Sequence, residues 1–171
     1  MGTIAKLLVA NRGEVAVRIL RACREMGIAT VAIFSEIDRE ALHVAFADEA
    51  YLVGETPPVL SYMNIGRILE IAKRSRSDAI HPGYGFLSES PRFARAVLEA
   101  GFVWVGPPPA ALEAVGDKTA ARLTAAGAGV VPVPGSFDPV PDAGGIAAFA
   151  AVHGWPVALK AAHGGGGRGF R

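Results

Sequence analysis

At 171 residues, 51% of them hydrophobic and 19% charged, the chain has room for one domain and part of a second, with enough apolar material to exclude wholesale disorder. A net charge of +1 gives no electrostatic ground for nucleic acid or an anionic membrane as partner. The lone Cys23 excludes an intrachain disulfide and fits a reducing cytoplasm, while the start Met1-Gly2-Thr3-Ile4-Ala5-Lys6 lacks the apolar length of a signal peptide and the Ser or Thr of a myristoylation signal.

Apolar runs alternate with amphipathic stretches from the first residues. Ile4 to Ala10, interrupted only by Lys6, predicts a strand buried on both faces. A helix is expected from about Gly13 to Met26, since Ala16, Ile19, Leu20 and Cys23 share one face and Glu14, Arg18, Arg21, Arg24 and Glu25 the other. Glu14 belongs in its first turn, where the helix dipole favours a carboxylate, and is one turn from Arg18; Gly27 ends it. The unit then repeats: a strand Ala29 to Phe34, a short helix Glu40 to Phe46, a strand around Tyr51 to Val53, and a helix Ser61 to Lys73. Asp78 to His81 follows as a strand, then a helix capped by Ser90 with Pro91 at its first position, then a strand Phe102 to Val105. Strands separated by helices through short connections predict an α/β fold, a parallel sheet with helices on both faces. Functional loops of such a sheet lie past the carboxyl ends of the strands, here Asn11-Arg12, Ser35-Glu36, His81 to Ser88 and Gly106-Pro107.

Composition shifts at Pro107-Pro108-Pro109, the expected start of a connector. Short helices over 110–115 and 119–126 come next, then glycine- and proline-rich sequence, then a helix around Ile146 to His153 and a strand Trp155 to Leu159 delivering Lys160. The uncharged run 143–159 is broken by Gly144, Gly145, Gly154 and Pro156, so no membrane span is predicted and a soluble, cytoplasmic protein is expected.

Four clusters carry candidate chemistry. Ala10-Asn11-Arg12-Gly13-Glu14 supplies one glycine where a dinucleotide-binding turn needs three, which argues against a nicotinamide or flavin role despite Glu36 at the end of the second strand. Asn11 and Arg12 are therefore expected to make turn and interdomain contacts. His81 to Glu89 sets two glycines around Tyr84, a sharp loop that reads either as a ring pushed outward or as a packed tyrosine with a backbone-bonded histidine. Gly116-Asp117-Lys118 precedes a helix, where the lysine suits a phosphate chain or simply solvent. The fourth is the sharpest. Lys160 ends an apolar run beside Gly164-Gly165-Gly166-Gly167, whose backbone N–H groups can close on an anion, so a triphosphate is expected there. A single Arg-Gly-Phe-Arg copy at the end is too little for an RNA-binding tail, and no histidine or cysteine pair has zinc-ligand spacing.

In this order and at these separations the clusters resemble the amino-terminal part of biotin carboxylase, the ATP-grasp component of acetyl-CoA, propionyl-CoA, methylcrotonyl-CoA and pyruvate carboxylases. The resemblance rests on Ala10 to Ile19, Ala47 to Ala50, Ser61 to Ile65, His81 to Ser90, Phe102 to Pro107, Gly116-Asp117-Lys118, Val133-Pro134-Gly135 and Lys160 to Arg171. It implies a Rossmann-like, pre-ATP-grasp domain over 1–109 and a connector with an incomplete ATP-grasp domain, including the start of its lid, over 110–171. It implies ATP-binding roles for Lys118, Lys160, Gly164, Gly165, Gly166 and Gly167, and a place near the biotin and bicarbonate site for Tyr84. The implied reaction activates bicarbonate with ATP, with magnesium or manganese, and carboxylates biotin on a carrier. Implied partners are a biotin carboxyl carrier protein or domain, a carboxyltransferase subunit and a second copy in a homodimer, with no nucleic acid and no membrane. His163 stands where the family often has glycine or a small residue, a subfamily trait. The family's metal-binding glutamates, bicarbonate-binding arginine and catalytic base have no counterpart in these residues, so the chain is expected to be an inactive amino-terminal fragment with no catalytic or metal-ligating residue of its own. The alternative is a non-catalytic remnant or interaction module that pairs with a full-length subunit through Arg18, Arg21, Arg24 and Glu25. Residues Ile4 to about Pro107 are expected to fold alone, and 164–171 to be mobile.

Overall fold

The computed structural model describes residues 3–116, 118–131, 133–136, 138–160 and 171, apart from the side chains of Lys118 and Thr119. The chain divides into two compact units, Met1–Leu112 and Glu113–Arg171.

The first unit is built on β1 (Lys6–Val9), β2 (Ala29–Ser35), β3 (Glu49–Gly54), β4 (Ala79–His81) and β5 (Val103–Trp104), joined in the order β3-β2-β1-β4-β5 with every pairing parallel. Its helices are α1 (Gly13–Glu25), α2 (Leu42–Phe46), α3 (Ile65–Arg74) and α4 (Pro91–Glu99). Successive side chains of a strand point to opposite faces, and β1 shows the consequence directly. Leu7 and Val9 pack with Ala79 of β4 against Ala16, Leu20 and Cys23 of α1. Leu8, with Val31, Ile33 and Ile80, packs on the other face against Ile68 and Ile71 of α3 and Phe93 and Val97 of α4. Because both faces are covered, β1 reads as a continuous apolar run rather than an alternating one.

Local chemistry sets the element ends. Gly27 follows α1 at φ +69°, and Ile28 N–H reaches back to the Cys23 carbonyl at 2.8 Å. The helix expected from Ser61 starts only at Ile65. Ser61 instead closes a 3-10 turn (Pro58–Leu60), its N–H on the Pro58 carbonyl, and the Asn64 side chain caps α3 by accepting from Arg67 N–H at 3.0 Å. Likewise α2 begins at Leu42 rather than Glu40. Ser90 caps α4, with Pro91 at its first position as expected. At the amino end of the sheet, Asp78 accepts from Ala5 and Lys6 N–H at 2.9 and 2.8 Å, which ties the start of β1 to the start of β4.

The division between the units falls within α5 (Pro109–Gly116). The second unit contains α6 (Lys118–Gly127) and α7 (Ala143–His153), the latter capped by the Asp142 carboxylate accepting from Gly145 N–H at 2.9 Å. Among its described residues Ala150 is the one buried hydrophobic, whereas Val131, Val133, Val152 and Trp155 are exposed. The strand expected over Trp155 to Leu159 is not formed. A strand requires a partner along its length, and here Leu159 and Arg171 exchange a single pair of backbone hydrogen bonds at 2.9 Å. The expectation for 164–170 lies outside the described residues.

Candidate functional site at the carboxyl end of the sheet

The strand order reverses between β1 and β4, so the loops leaving these neighbours diverge and open a crevice beyond their carboxyl ends. Asn11, 3% exposed, spans it. Its Nδ2 donates to the carbonyls of Pro82 and Tyr84 at 2.7 and 2.8 Å, and its Oδ1 accepts from Arg12 N–H at 2.9 Å. All its amide hydrogen-bonding directions but one are thereby used inside the fold. Gly83 must be glycine twice over: its φ is +66°, and a Cβ there would lie 2.8 Å from Asn11 Nδ2. Gly83 N–H donates to His81 Nδ1 at 3.0 Å, fixing the ring, and burial lowers the pKa of that histidine. The loop ends with Phe86 at φ +45°, a conformation non-glycine residues adopt at a cost.

This loop presents Tyr84, 63% exposed, with its phenol donating to the Glu14 carboxylate in the first turn of α1. Asn11, Arg12, Glu14, Tyr84 and Phe86 line a shallow cavity of about 330 Å³. Of the two loop readings, the outward ring is correct for Tyr84 and the backbone-bonded histidine for His81. Glu14 turns to Tyr84, and no ion pair with Arg18 forms among the described residues.

Beside the cavity lies a network that sequence reasoning missed. The Arg12 guanidinium sits 5.4 Å from the centre of the Tyr62 ring and 5.6 Å from that of Phe86, while these rings stack on one another at 5.3 Å. One oxygen of Asp38 receives the Arg12 guanidinium at 3.0 Å, the Ser35 hydroxyl at 2.7 Å and the Tyr62 phenol at 2.7 Å. The Tyr62 oxygen in turn accepts from Ser35 N–H at 3.0 Å. Partial burial pushes the Asp38 carboxyl up, but the donors from Tyr62, Ser35 and Arg12 outweigh it and hold the group below its usual range. Burial, then the bond to Asp38, pushes the Tyr62 phenol up to about 12. The spacing Ser35-x-x-Asp38 after an apolar strand was the one local signal of this network. Arg12 and two aromatic rings are thus packed together past the ends of β1 and β2.

A second, larger groove of about 770 Å³ runs along α1, lined by Glu14, Arg18, Arg21, Glu25 and Leu42. Arg21 and Arg24 lie over the Phe46 ring, which organises the charged face read from the sequence. In the second unit, Lys118 opens α6 and Lys160 is exposed at an isolated bridge; the Lys118 side chain and Gly164, Gly165, Gly166 and Gly167 lie outside the described residues. Among the described residues no three His, Cys, Asp or Glu side chains are grouped to hold a metal, and no helix is long and apolar enough to cross a membrane.

Comparison with known proteins separates the chain at the same region. Residues 3–112 match the family described as "Biotin carboxylase, N-terminal domain", and residues 117–171 match "Carbamoyl-phosphate synthase L chain, ATP binding domain". The chain is 51% identical over 168 residues to the biotin-dependent acyl-coenzyme A carboxylase alpha3 subunit of Mycobacterium leprae, covering 98% of this chain and 28% of that protein. It is 51% identical over 166 residues to the biotin carboxylase of Halalkalibacterium halodurans, covering 97% of this chain and 37% of the relative. Among solved structures it superposes on the biotin carboxylase domain of Hydrogenobacter thermophilus 2-oxoglutarate carboxylase, a dimer holding MgADP, ADP and bicarbonate. The TM-score there is 0.90 at 47% identity, over 100% of this chain and 38% of that one. The chain thus spans about a third of the length of these relatives.

Proposed function

The chain belongs to the biotin carboxylase family, and from that premise we propose that its residues serve the ATP-dependent carboxylation of carrier-bound biotin. The observation that carries the reading is the loop His81 to Ser88: a backbone preset by Asn11 and glycine holds Tyr84 outward at the carboxyl end of a parallel sheet, in a chain whose next segment matches an ATP-binding domain. In the proposed organisation, a Rossmann-like domain over 1–109 feeds an ATP-grasp domain beginning at 110.

Bicarbonate oxygen attacks the γ-phosphorus of ATP, ADP leaves, and the carboxyphosphate formed releases carbon dioxide and phosphate. Biotin N1 then gives its proton to the family's catalytic base, which has no counterpart in these residues, and forms the N–C bond to the carbon dioxide. Lys118, Lys160 and the backbone N–H groups of Gly164, Gly165, Gly166 and Gly167 are proposed to bind the phosphates, whose charge rises on oxygen during transfer. Tyr84 is proposed to border the biotin and bicarbonate site. Magnesium or manganese, when bound, would neutralise the triphosphate, but the described residues offer no carboxylate cluster for it. The proposed partners are a biotin carrier protein or domain, a carboxyltransferase subunit and a second copy of the subunit.

The test is phosphate release with bicarbonate and free biotin, by a carboxylase subunit carrying these residues. Lys118→Ala and Lys160→Ala are each expected to lower it about 100-fold or more, and full activity in both variants would overturn the assignment. A polypeptide of residues 1–171 alone is expected to bind ATP no better than about millimolar and to release no phosphate. A second reading, an interaction module, is favoured by the charged α1 groove. Co-elution of residues 1–171 with an intact carboxylase subunit, lost in Arg21→Glu, would support it.

A further inference from the structure

We infer that Asn11 is a positioning residue for Tyr84, with Glu14 as its second support. The inference rests on the proposed role of Tyr84 at the biotin site.

Tyr84 sits on a loop that has internal bonds from Gly83 N–H to His81 Nδ1 and from Ser88 N–H to the Gly85 carbonyl, and that is also gripped at Tyr84 itself from the β1–α1 junction. Asn11 grips the carbonyls on both sides of Gly83, at 2.7 Å to Pro82 and 2.8 Å to Tyr84, from a side chain that is 3% exposed. Two donors on one planar amide, aimed at carbonyls two residues apart, fix the peptide that carries the ring as well as its height above the sheet. Glu14, one turn into the crevice wall, takes the phenol at the far end of the same side chain. Backbone and ring tip are therefore each held by a residue of 11–14, and the two holds are three residues apart on a rigid strand–helix corner. No other side chain of the cavity bonds to the Tyr84 backbone or phenol among the described residues. Asn11 is matched to this task in a way its nearest isostere is not. An aspartate has the same shape, but it would turn two carbonyl-facing donors into acceptors and drive the loop away. Gly83 completes the fit, because any Cβ there would press on the Asn11 amide at 2.8 Å.

The experiment reads biotin KM, ATP KM and kcat in a carboxylase subunit carrying these residues, together with amide hydrogen exchange of the loop in the 171-residue chain. Tyr84→Ala first tests the underlying reading: an unchanged biotin KM would remove Tyr84 from that site and end the functional part of the inference. With Tyr84→Ala effective, Asn11→Asp and Gly83→Ala are each expected to raise biotin KM about 10- to 100-fold and leave ATP KM within about twofold. In the Tyr84→Ala background, Asn11→Asp should add little. Should Asn11→Asp fail to fold, the exposed Glu14 supplies the same test: Glu14→Ala should raise biotin KM and Glu14→Gln, which still accepts from the phenol, should restore it. Exchange at 83–88 is expected to speed up at least about tenfold in Asn11→Asp, with β1 and β2 unchanged. A Tyr84→Ala effect alongside wild-type biotin KM and loop exchange in Asn11→Asp would overturn the inference while leaving the proposed function intact.

Discussion

Removing the Tyr62 hydroxyl tests whether the Arg12–Asp38–Tyr62 network stabilises the first unit as its geometry implies. In Tyr62→Phe the ring stays in place, so its stacking on Phe86 at 5.3 Å and its position under Arg12 at 5.4 Å are retained. What is lost is one acceptor for the buried Ser35 N–H at 3.0 Å and one donor to the partly buried Asp38 at 2.7 Å. An orphaned buried N–H and a weakened carboxylate bond together cost about 2–4 kcal/mol near neutral pH. The pH dependence gives the second signature. Folding raises the phenol from its ordinary value of 10.0 to about 12, so the folded state holds that proton more tightly than the unfolded chain. The stabilisation this represents is fully present below pH 10 and is lost as pH climbs towards 12; it amounts to about 2–3 kcal/mol. Urea unfolding followed by Trp104 fluorescence, in a Trp155→Phe background, measures both chains at each pH. Wild type is expected to exceed Tyr62→Phe by about 2–4 kcal/mol at pH 8, and the gap should shrink towards zero near pH 12. A gap that stays constant to pH 12, or is already absent at pH 8, would refute the reasoning.

His43 is buried with Nε2 on the Ile33 carbonyl at 3.2 Å and Nδ1 without a partner among the described residues, and burial depresses its pKa. The stability tied to its neutral form is present above about pH 6.5 and lost as pH falls through the lower folded value, so His43→Gln should flatten that part of the acid limb in urea titrations from pH 7 to 5. In Gly54→Ala the new Cβ would sit 2.0 Å from the Leu60 carbonyl oxygen, a backbone atom with nowhere to go, and calorimetry should show a loss of at least about 3 kcal/mol. Asn64→Ala removes the side-chain N-cap of α3 and should cost about 1 kcal/mol in the same assay, with Asn64→Asp restoring most of it.

How much of this was legible in the sequence depended on the range of the contact. The continuous run at Ile4 to Ala10 and the three-and-four spacing over Ala16 to Cys23 are local patterns, and both became the buried elements they predict. Ser90 and Gly27 announced helix ends because capping is a matter of a few neighbouring residues. Turn and interdomain contacts are the sequence expectation for Asn11, but its side-chain partners Pro82 and Tyr84 lie within the first unit, in the loop after β4, which no single-sequence pattern places beside β1. Tyr62 and Phe86 meet Arg12 for the same reason, through pairing of the whole sheet. Ser61 misled as a helix start because the Pro57-Pro58 turn consumes it, and the cap moves on to Asn64. The run Trp155 to Leu159 has strand composition, but composition does not provide a neighbour.

The earliest strand of this sheet in chain order is the one the finished sheet places at its centre. Pairing of β1 with β2 becomes possible once residue 35 has emerged, but its other edge waits for β4 at Ala79–His81. Throughout that interval Leu7, Leu8 and Val9 stand on an open edge whose N–H and C=O groups are free to recruit an extended segment of another chain. Parallel pairing over such a separation is slow to form, so the open interval lengthens further when synthesis slows. The carbonyls of Pro82 and Tyr84 that the Asn11 amide grips follow β4 in the chain and are made later still. Aggregation during expression should therefore be decided by the time between translation of residues 9 and 79, and codon choice or a co-expressed strand-binding chaperone acting in that window should change the yield more than any surface substitution.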